Sequence, residues 1–309
     1  MIDREQPLAQ WTSRSYRMAR WEQSCVHYSF LAVTLITILT TLGIIATLVI
    51  ESQHFFSHVD LWDFLTGREW EPLFEPKKFG VLPILWGTMM IAFGACLVAV
   101  PVGVGIALYL SEYAHQKVRA ILKPLIELLA GIPSVVFGYF AVTIVTPFLQ
   151  KFLPSTEVFN AASAAFTVGI MVIPLVASLS EDAFRSVPQS MRDAGYALGA
   201  TPFEVNLRVV IPAAVSGIMA SVILAFARAI GETMAVSLAA GSSPHLTLNF
   251  LEPIQTMTGF IVQVSMGDVQ HGSIEYQSLF AVAGVLFIVT MIFNYLARKV
   301  VARMKQAYE

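Results

Sequence analysis

Charge is scarce in this sequence. Asp, Glu, Lys and Arg make up 13% of its 309 residues, about half the ~25% of an ordinary soluble domain. That shortage excludes a typical soluble globular chain. Cysteine is scarce too. Cys25 and Cys96 stand alone without partner spacing, so no structural disulfide is expected. The six histidines form no metal-type cluster, and no metal site is expected. No G-x-x-x-x-G-K followed by Ser or Thr occurs, nor any Gly-Lys pair, which excludes a Walker A phosphate cradle. No internal repeat and no low-complexity stretch is visible. The net charge of −2 says little by itself, because the position of each charge matters more. No nucleic-acid partner is expected.

Apolar sequence fills the space. Hydrophobic residues make up 56% of the chain and its mean hydropathy is +0.68. Six runs are long enough to cross a hydrocarbon core, which takes about 20 residues. They lie at 28–50, about 84–110, about 125–149, about 161–179, 213–239 and 279–297. The expected fold class is all-α, a polytopic membrane protein with six transmembrane helices. The expected division is a tail at 1–27, a first span at 28–50, a loop at 51–83, a core of five spans at 84–297 and a tail at 298–309. The first run starts too late and runs too long for a signal h-region, so an uncleaved anchor is expected.

Lys and Arg predict the orientation. The N-terminal tail has Arg4, Arg14, Arg17 and Arg20, and the C-terminal tail has Arg298, Lys299, Arg303 and Lys305. Segment 111–124 has Lys117, Arg119 and Lys123, and segment 180–212 has Arg185, Arg192 and Arg208. The opposite side holds only Arg68, Lys77, Lys78 and Lys151. Both termini are therefore expected in the cytoplasm. The last of the nineteen bases, Arg228, falls inside the fifth run.

Two segments on the expected external side are long. Segment 51–83 is acidic, with Glu51, Asp60, Asp63, Glu69, Glu71 and Glu75 against three bases, and its "FFSHVDLWDFLTGREW" predicts a short interfacial helix. Segment 240–278 holds Glu252, Asp268 and Glu275 but no Lys or Arg. Each is open to two readings, a plain connection or a docking point for an external partner.

Segment 180–212 contains "SVPQSMRDAGYALGATPFEVNLRVVIP", amphipathic pieces on either side of Gly199. Tyr196, Leu198, Phe203, Val205 and Leu207 are expected to be exposed there, and such side chains on short helices suit a groove on a partner. The alternative is packing beneath the helix bundle. The spacing Asp193-Ala194-Gly195, three residues, Gly199, nine residues, Val209-Val210-Ile211-Pro212 resembles the Glu-Ala-Ala motif of ABC importer permeases. Asp193 and Gly195 depart from it, and Gly195 weakens a helix by about 1 kcal/mol relative to Ala. "FLTGREWEP", "PILWGTMMIA", "LYLSEYA", "KPLIELLAGIPSVVFGYF" and "ARAIGETMAV", in this order, resemble the PstC-type permeases of phosphate ABC importers over nearly the whole chain. A-type sister permeases typically continue Gly-Glu-Thr with Ala-Pro, whereas Met234-Ala235-Val236 follows here. Sulfate and molybdate permeases resemble "RAIGE" but tend to continue with an aromatic and a glycine. Both remain alternatives.

The resemblance implies a type I ABC importer permease fold in a bacterial inner membrane. It implies a sister A-type permease, two ATPase subunits carrying ATP and Mg, and an external phosphate-binding protein. It assigns Asp193, Ala194, Gly195, Tyr196, Leu198 and Gly199 to ATPase coupling. The chain itself is expected to be no enzyme and to hold no cofactor. An intramembrane enzyme would need a nucleophile–base set or metal ligands in the spans, and none is found. An ion-coupled carrier would transport without ATPase partners.

Arg228 and Glu232, four residues apart in "RAIGETMAV", are the chemical question. A charge at mid-membrane costs about 2.5–3.5 kcal/mol even on the lenient insertion scale, and such charges face a bundle interior or a watery cavity. On one continuous helix the two would be neighbours. They then read either as an ion pair joining helices or as a path in which the Arg228 guanidinium meets an anion. Thr233 adds a hydroxyl beside them. A second candidate is "ELLAGIPSVVFG", with Glu127 and Ser134 around Pro133. Proline breaks the helix ladder, so this stretch is either a simple kink or a half-helix start whose free N–H groups face an anion. Thr88 reads as a cap, with a path hydroxyl as the alternative.

Overall fold

A computed structural model of the chain describes the backbone of residues 13–306 and the side chains of residues 25–302. Arg4, Arg14, Arg17, Arg20, Arg303 and Lys305, used above for orientation, lie outside the described side chains. The chain divides into two units, 1–51 and 52–309. The described part of the first lies within helix α1 (Ser13–Phe56), whose last residues, from Ser52 on, belong to the second. Its threonines do not leave hydroxyls bare in an apolar helix. Thr34, Thr37, Thr40, Thr41 and Thr47 each donate to the carbonyl four residues back, at 2.8–3.0 Å.

After the end of α1, the second unit continues with α2 (Leu61–Thr66). The Asp60 carboxylate accepts from the amides of Trp62 at 2.8 Å and Asp63 at 3.3 Å, which starts this helix in the stretch where an interfacial helix was expected. A small antiparallel hairpin follows, β1 (Trp70–Glu71) and β2 (Lys78–Phe79), pairing Trp70 with Phe79 and Glu71 with Lys78. Then come α3 (Leu82–Leu108), α4 (Gln116–Ala130), α5 (Ser134–Phe140), α6 (Thr146–Phe152) and α7 (Ala161–Ser186). The remainder is α8 (Gln189–Ala197), α9 (Pro202–Val205), α10 (Ile211–Ile230), α11 (Met234–Ala239), α12 (Met257–Met266) and α13 (Ile274–Gln306). Among the described residues, three π-helical turns interrupt the α geometry, at Tyr109–Tyr113, Ala141–Val145 and Asn206–Val210.

Six helical stretches among the described residues are long and apolar enough to cross a membrane: Cys25–Phe56, Leu82–Tyr113, Ser134–Phe152, Ala161–Ser186, Pro202–Ile230 and Ile274–Ala302. The number matches the expectation, but two positions need correction. The third span starts at Ser134 rather than near residue 125, because α4 ends at Gly131 and Pro133 cannot continue its hydrogen-bond ladder. The fifth ends at Ile230 rather than at residue 239. Gly231 closes α10, and Thr233, with φ −116° and ψ −63°, opens the separate α11.

The central core lies where α3 and α7 cross, with α5, α10 and α11 packed around them. Small residues make this crossing possible. A Cβ on Gly169 would come within 2.9 Å of Val98 Cβ, so the helices approach as closely as a missing side chain allows. A second core is aromatic. Phe55, Phe64, Trp70 and Phe260 meet edge to face, with Trp70 and Phe260 centroids 4.8 Å apart. A third holds the 180–212 segment against α3, α7 and α10 through Ala107, Phe184, Val205, Val210 and Ala214.

Candidate functional site

The break in the fifth span explains its two charges. Because α10 ends at Ile230, Arg228 and Glu232 do not share a helix face, and the expected one-face geometry is corrected here. No ion pair of Arg228 with a carboxylate occurs among the described residues. Each charge instead sits at a helix end that favours it. Arg228 lies in the last turn of α10, where unpaired carbonyls concentrate negative potential. Glu232 lies before α11, and its carboxylate accepts the Ala235 amide at 3.3 Å, which supplies an acceptor to one of the orphan amides there. The backbone carbonyl of Glu232 accepts from Thr258 Oγ1 of α12 at 2.8 Å, so the break is pinned to a neighbouring element. Thr233 Oγ1 donates to the Gly231 carbonyl at 3.1 Å. Arg228 is exposed, while Glu232 and Thr233 are half-buried.

Ser134 is the first residue of α5, half-buried, with Pro133 before it in extended geometry. The half-helix start, one of the two readings of this stretch, is therefore present. α5 packs on α11 so closely that a Cβ on Gly138 would fall 3.1 Å from Ala235 Cα. The structure thus sets the element carrying Ser134 against the one following Glu232 and Thr233. Glu127 is placed elsewhere. It is exposed on α4, outside the third span, and α4 packs on α7. Its intramembrane position is corrected. The reason is the amphipathic character of α4, which turns Arg119 and Lys123 toward the fully buried Glu181 of α7. Arg119 pairs with that carboxylate, and Lys123 Nζ lies 2.9 Å from it. Thr88 does act as an acceptor at a helix start, but for another helix, taking the Met257 amide at 3.0 Å.

The 180–212 segment forms two short helices around Gly199, whose φ is +82°, the left-handed region that glycine enters freely. Thr201 and Glu204 close a reciprocal capping box at the start of α9. Asp193, Ala194, Tyr196, Leu198 and Gly199 are exposed, with Leu198 at 89%. Phe203 and Leu207 are exposed as well. Gly195 and Val205 are not. Gly195 faces inward, and a Cβ there would fall 3.0 Å from Val205 Cγ2, while Val205 is buried. The expected exposure of Val205 is thereby overturned, and Gly195 is where α8 lies on α9.

Arg192 is the residue that sequence reasoning missed. It counted only as one of three basic residues in the loop. In the structure it is buried, and its guanidinium makes four bonds. Nε and Nη2 donate to the Glu112 carboxylate at 3.3 and 2.9 Å. Nη2 and Nη1 donate to the carbonyls of Phe184 at 2.8 Å and Val187 at 2.5 Å. Ser111 Oγ donates to the same carboxylate at 2.8 Å. No local pattern links residues 80 positions apart, so only the folded chain reveals the pair.

Outside the spans, the Glu252 carboxylate gathers the 240–256 loop. It accepts from Asn249 at 2.8 Å and Thr247 at 3.0 Å, and His245 lies 3.5 Å away. The Asn249 bond above all, then the Thr247 bond, holds this carboxyl below the usual glutamate range. Trp86 Nε1 donates to the Thr247 carbonyl at 2.6 Å and fastens the loop to α3. The Lys77 ammonium is held above its ordinary range by its bond to Glu275, 2.5 Å away.

A family model described as "Binding-protein-dependent transport system inner membrane component" matches residues 99–306. The chain is 35% identical to a protein of Bacillus subtilis named probable ABC transporter permease protein YqgH, over 79% of this chain and 78% of that one. It is 33% identical to the phosphate transport system permease protein PstC of Mesorhizobium japonicum, over 78% and 79% of the two chains. Among solved structures, it resembles a chain of the bacterial alginate ABC transporter in complex with an alginate pentasaccharide-bound periplasmic protein. The TM-score is 0.65 at 15% identity, covering 92% of this chain and 98% of that one, a likeness of fold.

Proposed function

From the premise that the chain belongs to the family of binding-protein-dependent transport system inner membrane components, we propose that it is the membrane-spanning permease subunit of an ATP-driven phosphate importer. Its fold is the type I ABC importer permease fold. The observation that carries the phosphate reading is the likeness to PstC along more than three quarters of the chain. Physical chemistry supports it. A guanidinium without a carboxylate partner among the described residues, at a break between two helices, offers forked donors that match phosphate oxygens.

In this reading the chain catalyses no bond change. A sister A-type permease completes the path, an external binding protein delivers phosphate, and two ATPase subunits bind ATP and Mg below. Arg228, Glu232, Thr233 and Ser134 line the path. Glu232, being anionic, weakens the hold on phosphate so that it is released, and it accepts a hydrogen bond from the P–OH of hydrogenphosphate. Asp193, Ala194, Tyr196, Leu198 and Gly199 meet the ATPase, with Gly195 shaping the turn from within. Both termini lie in the cytoplasm of a bacterium.

The test is reconstitution of the whole complex in vesicles, with uptake of radiolabelled phosphate measured against sulfate and molybdate. ATP-dependent phosphate accumulation is expected. Accumulation of sulfate or molybdate instead, or phosphate uptake by this chain without ATPase subunits, would overturn the reading.

A further inference from the structure

We propose that the Arg192–Glu112 pair is a rigid strut that makes the coupling helix α8 and the ends of spans two and four move as one body. The inference rests on the transport reading above and adds a positioning residue on each side of the coupling loop.

Three observations converge. First, Arg192 faces inward from α8, while its neighbours Asp193 and Ala194 face outward, toward where a partner pushes. Second, its guanidinium joins three elements at once. It holds Glu112 at the end of the second span by a two-point fork, and it fills the carbonyls of Phe184 and Val187 at the end of α7. Those carbonyls belong to a helix end, where the one other backbone bond made is that of the Val187 amide to the Phe184 carbonyl, at 3.3 Å. A planar fork resists rotation as a single hydrogen bond does not. Third, Glu112 lies in a π-helical turn, Tyr109–Tyr113, and the other side of the loop joins the fifth span through a second, Asn206–Val210. π turns are frequent at functional sites in helices. Here one lies where the Arg192 fork meets span two and the other where the loop enters span five. A push on α8 therefore reaches spans two and four through a stiff charged link rather than through soft loop backbone.

The experiment uses the full reconstituted complex and reads phosphate taken up per ATP hydrolysed. The wild type must first import phosphate with ATP. Its failure there would sink the transport reading rather than the strut. Arg192→Met and Glu112→Gln are then expected to assemble and hydrolyse ATP while uptake per ATP falls about tenfold. Arg192→Lys, which keeps the charge but loses the fork, is expected to fall between. Normal uptake per ATP in the Met variant would overturn the proposal.

A second measurement leaves the pair intact, so it answers even if the variants fail to assemble. Spin labels replace the exposed Tyr113 and Met191, with Cys25 and Cys96 changed to serine. Their separation is expected to stay the same between the nucleotide-free and ATP-trapped complex. A change larger than about one helical turn, ~5.4 Å, would show that α8 slides past span two and would overturn the strut.

Discussion

Arg228 and Glu232 stand four residues apart, yet they serve two helices, one at the end of α10 and one at the start of α11. That placement separates their roles experimentally. Glu232→Gln keeps an acceptor for the Ala235 amide, so assembly should be normal, while Glu232→Ala should cost about 1 kcal/mol of stability through the lost cap. Arg228→Lys should assemble but transport less phosphate, since an ammonium lacks the planar fork. Arg228→Met together with Glu232→Met should assemble and move none. Full uptake by that double variant, measured with radiolabelled phosphate and ATP, would remove Arg228 from the path. Glu252 makes a prediction in pH. Its folded carboxyl titrates below the ordinary glutamate value of 4.5. The stability it gives the loop is thus fully present above that value and fades as pH falls through the lower, folded one. The Leu251 amide, bonded to Asn249 Oδ1 at 3.1 Å, should show hydrogen-exchange protection unchanged, after correction for intrinsic rate, from neutrality down to about 4.5 and diminished below it. Loss of protection already well above pH 4.5 would remove Glu252 as its source.

The paired helices α8 and α9 depend on the turn between them. Open space surrounds Gly199, so a side chain there meets strain rather than collision. At φ +82° that strain is about 1–2 kcal/mol for an ordinary residue and larger for a β-branched one. Gly199→Asn should keep coupling, because asparagine tolerates this region, whereas Gly199→Val should insert and assemble yet lose most uptake per ATP. Equal uptake by the two variants would show that the turn does not transmit the stroke. This element was legible in sequence, because Gly199 sits between two amphipathic pieces; the capping box of Thr201 and Glu204 came only with the structure. The spans were legible too, by hydropathy, but their ends were not. Hydropathy does not register that Gly131 and Pro133 stop one helix and start another, nor that Gly231 divides an apolar run. Val205 read as exposed because its inward direction depends on the approach of Gly195 from another helix. Arg192 and Glu112 stayed hidden for the same reason at longer range.

Across the whole molecule, the transport reading requires that the coupling loop and the 240–256 loop face opposite sides of the membrane. The fifth span lies between them in sequence, and α10 is 20 residues long, about 30 Å at 1.5 Å per residue, enough to cross the hydrocarbon core. α11 complicates this, because its six residues extend only about 9 Å and cannot cross back. In this reading the break at Gly231–Thr233 is passed without returning, and the chain emerges on the far side before α12. In the proposed orientation the cytoplasmic side is the one where the bases crowd, at the coupling loop, the 111–124 segment and the two tails. Leu198 and Leu248, exposed by 89% and 81%, are probes for the two faces. In a chain with Cys25 and Cys96 replaced by serine, Leu198→Cys should react with a membrane-impermeant maleimide only in inside-out vesicles. Leu248→Cys should react only in right-side-out vesicles or intact spheroplasts. Both cysteines reacting from one side would mean that α10 and α11 together re-enter rather than cross. The path through Arg228 would then have to be abandoned along with the six-span topology.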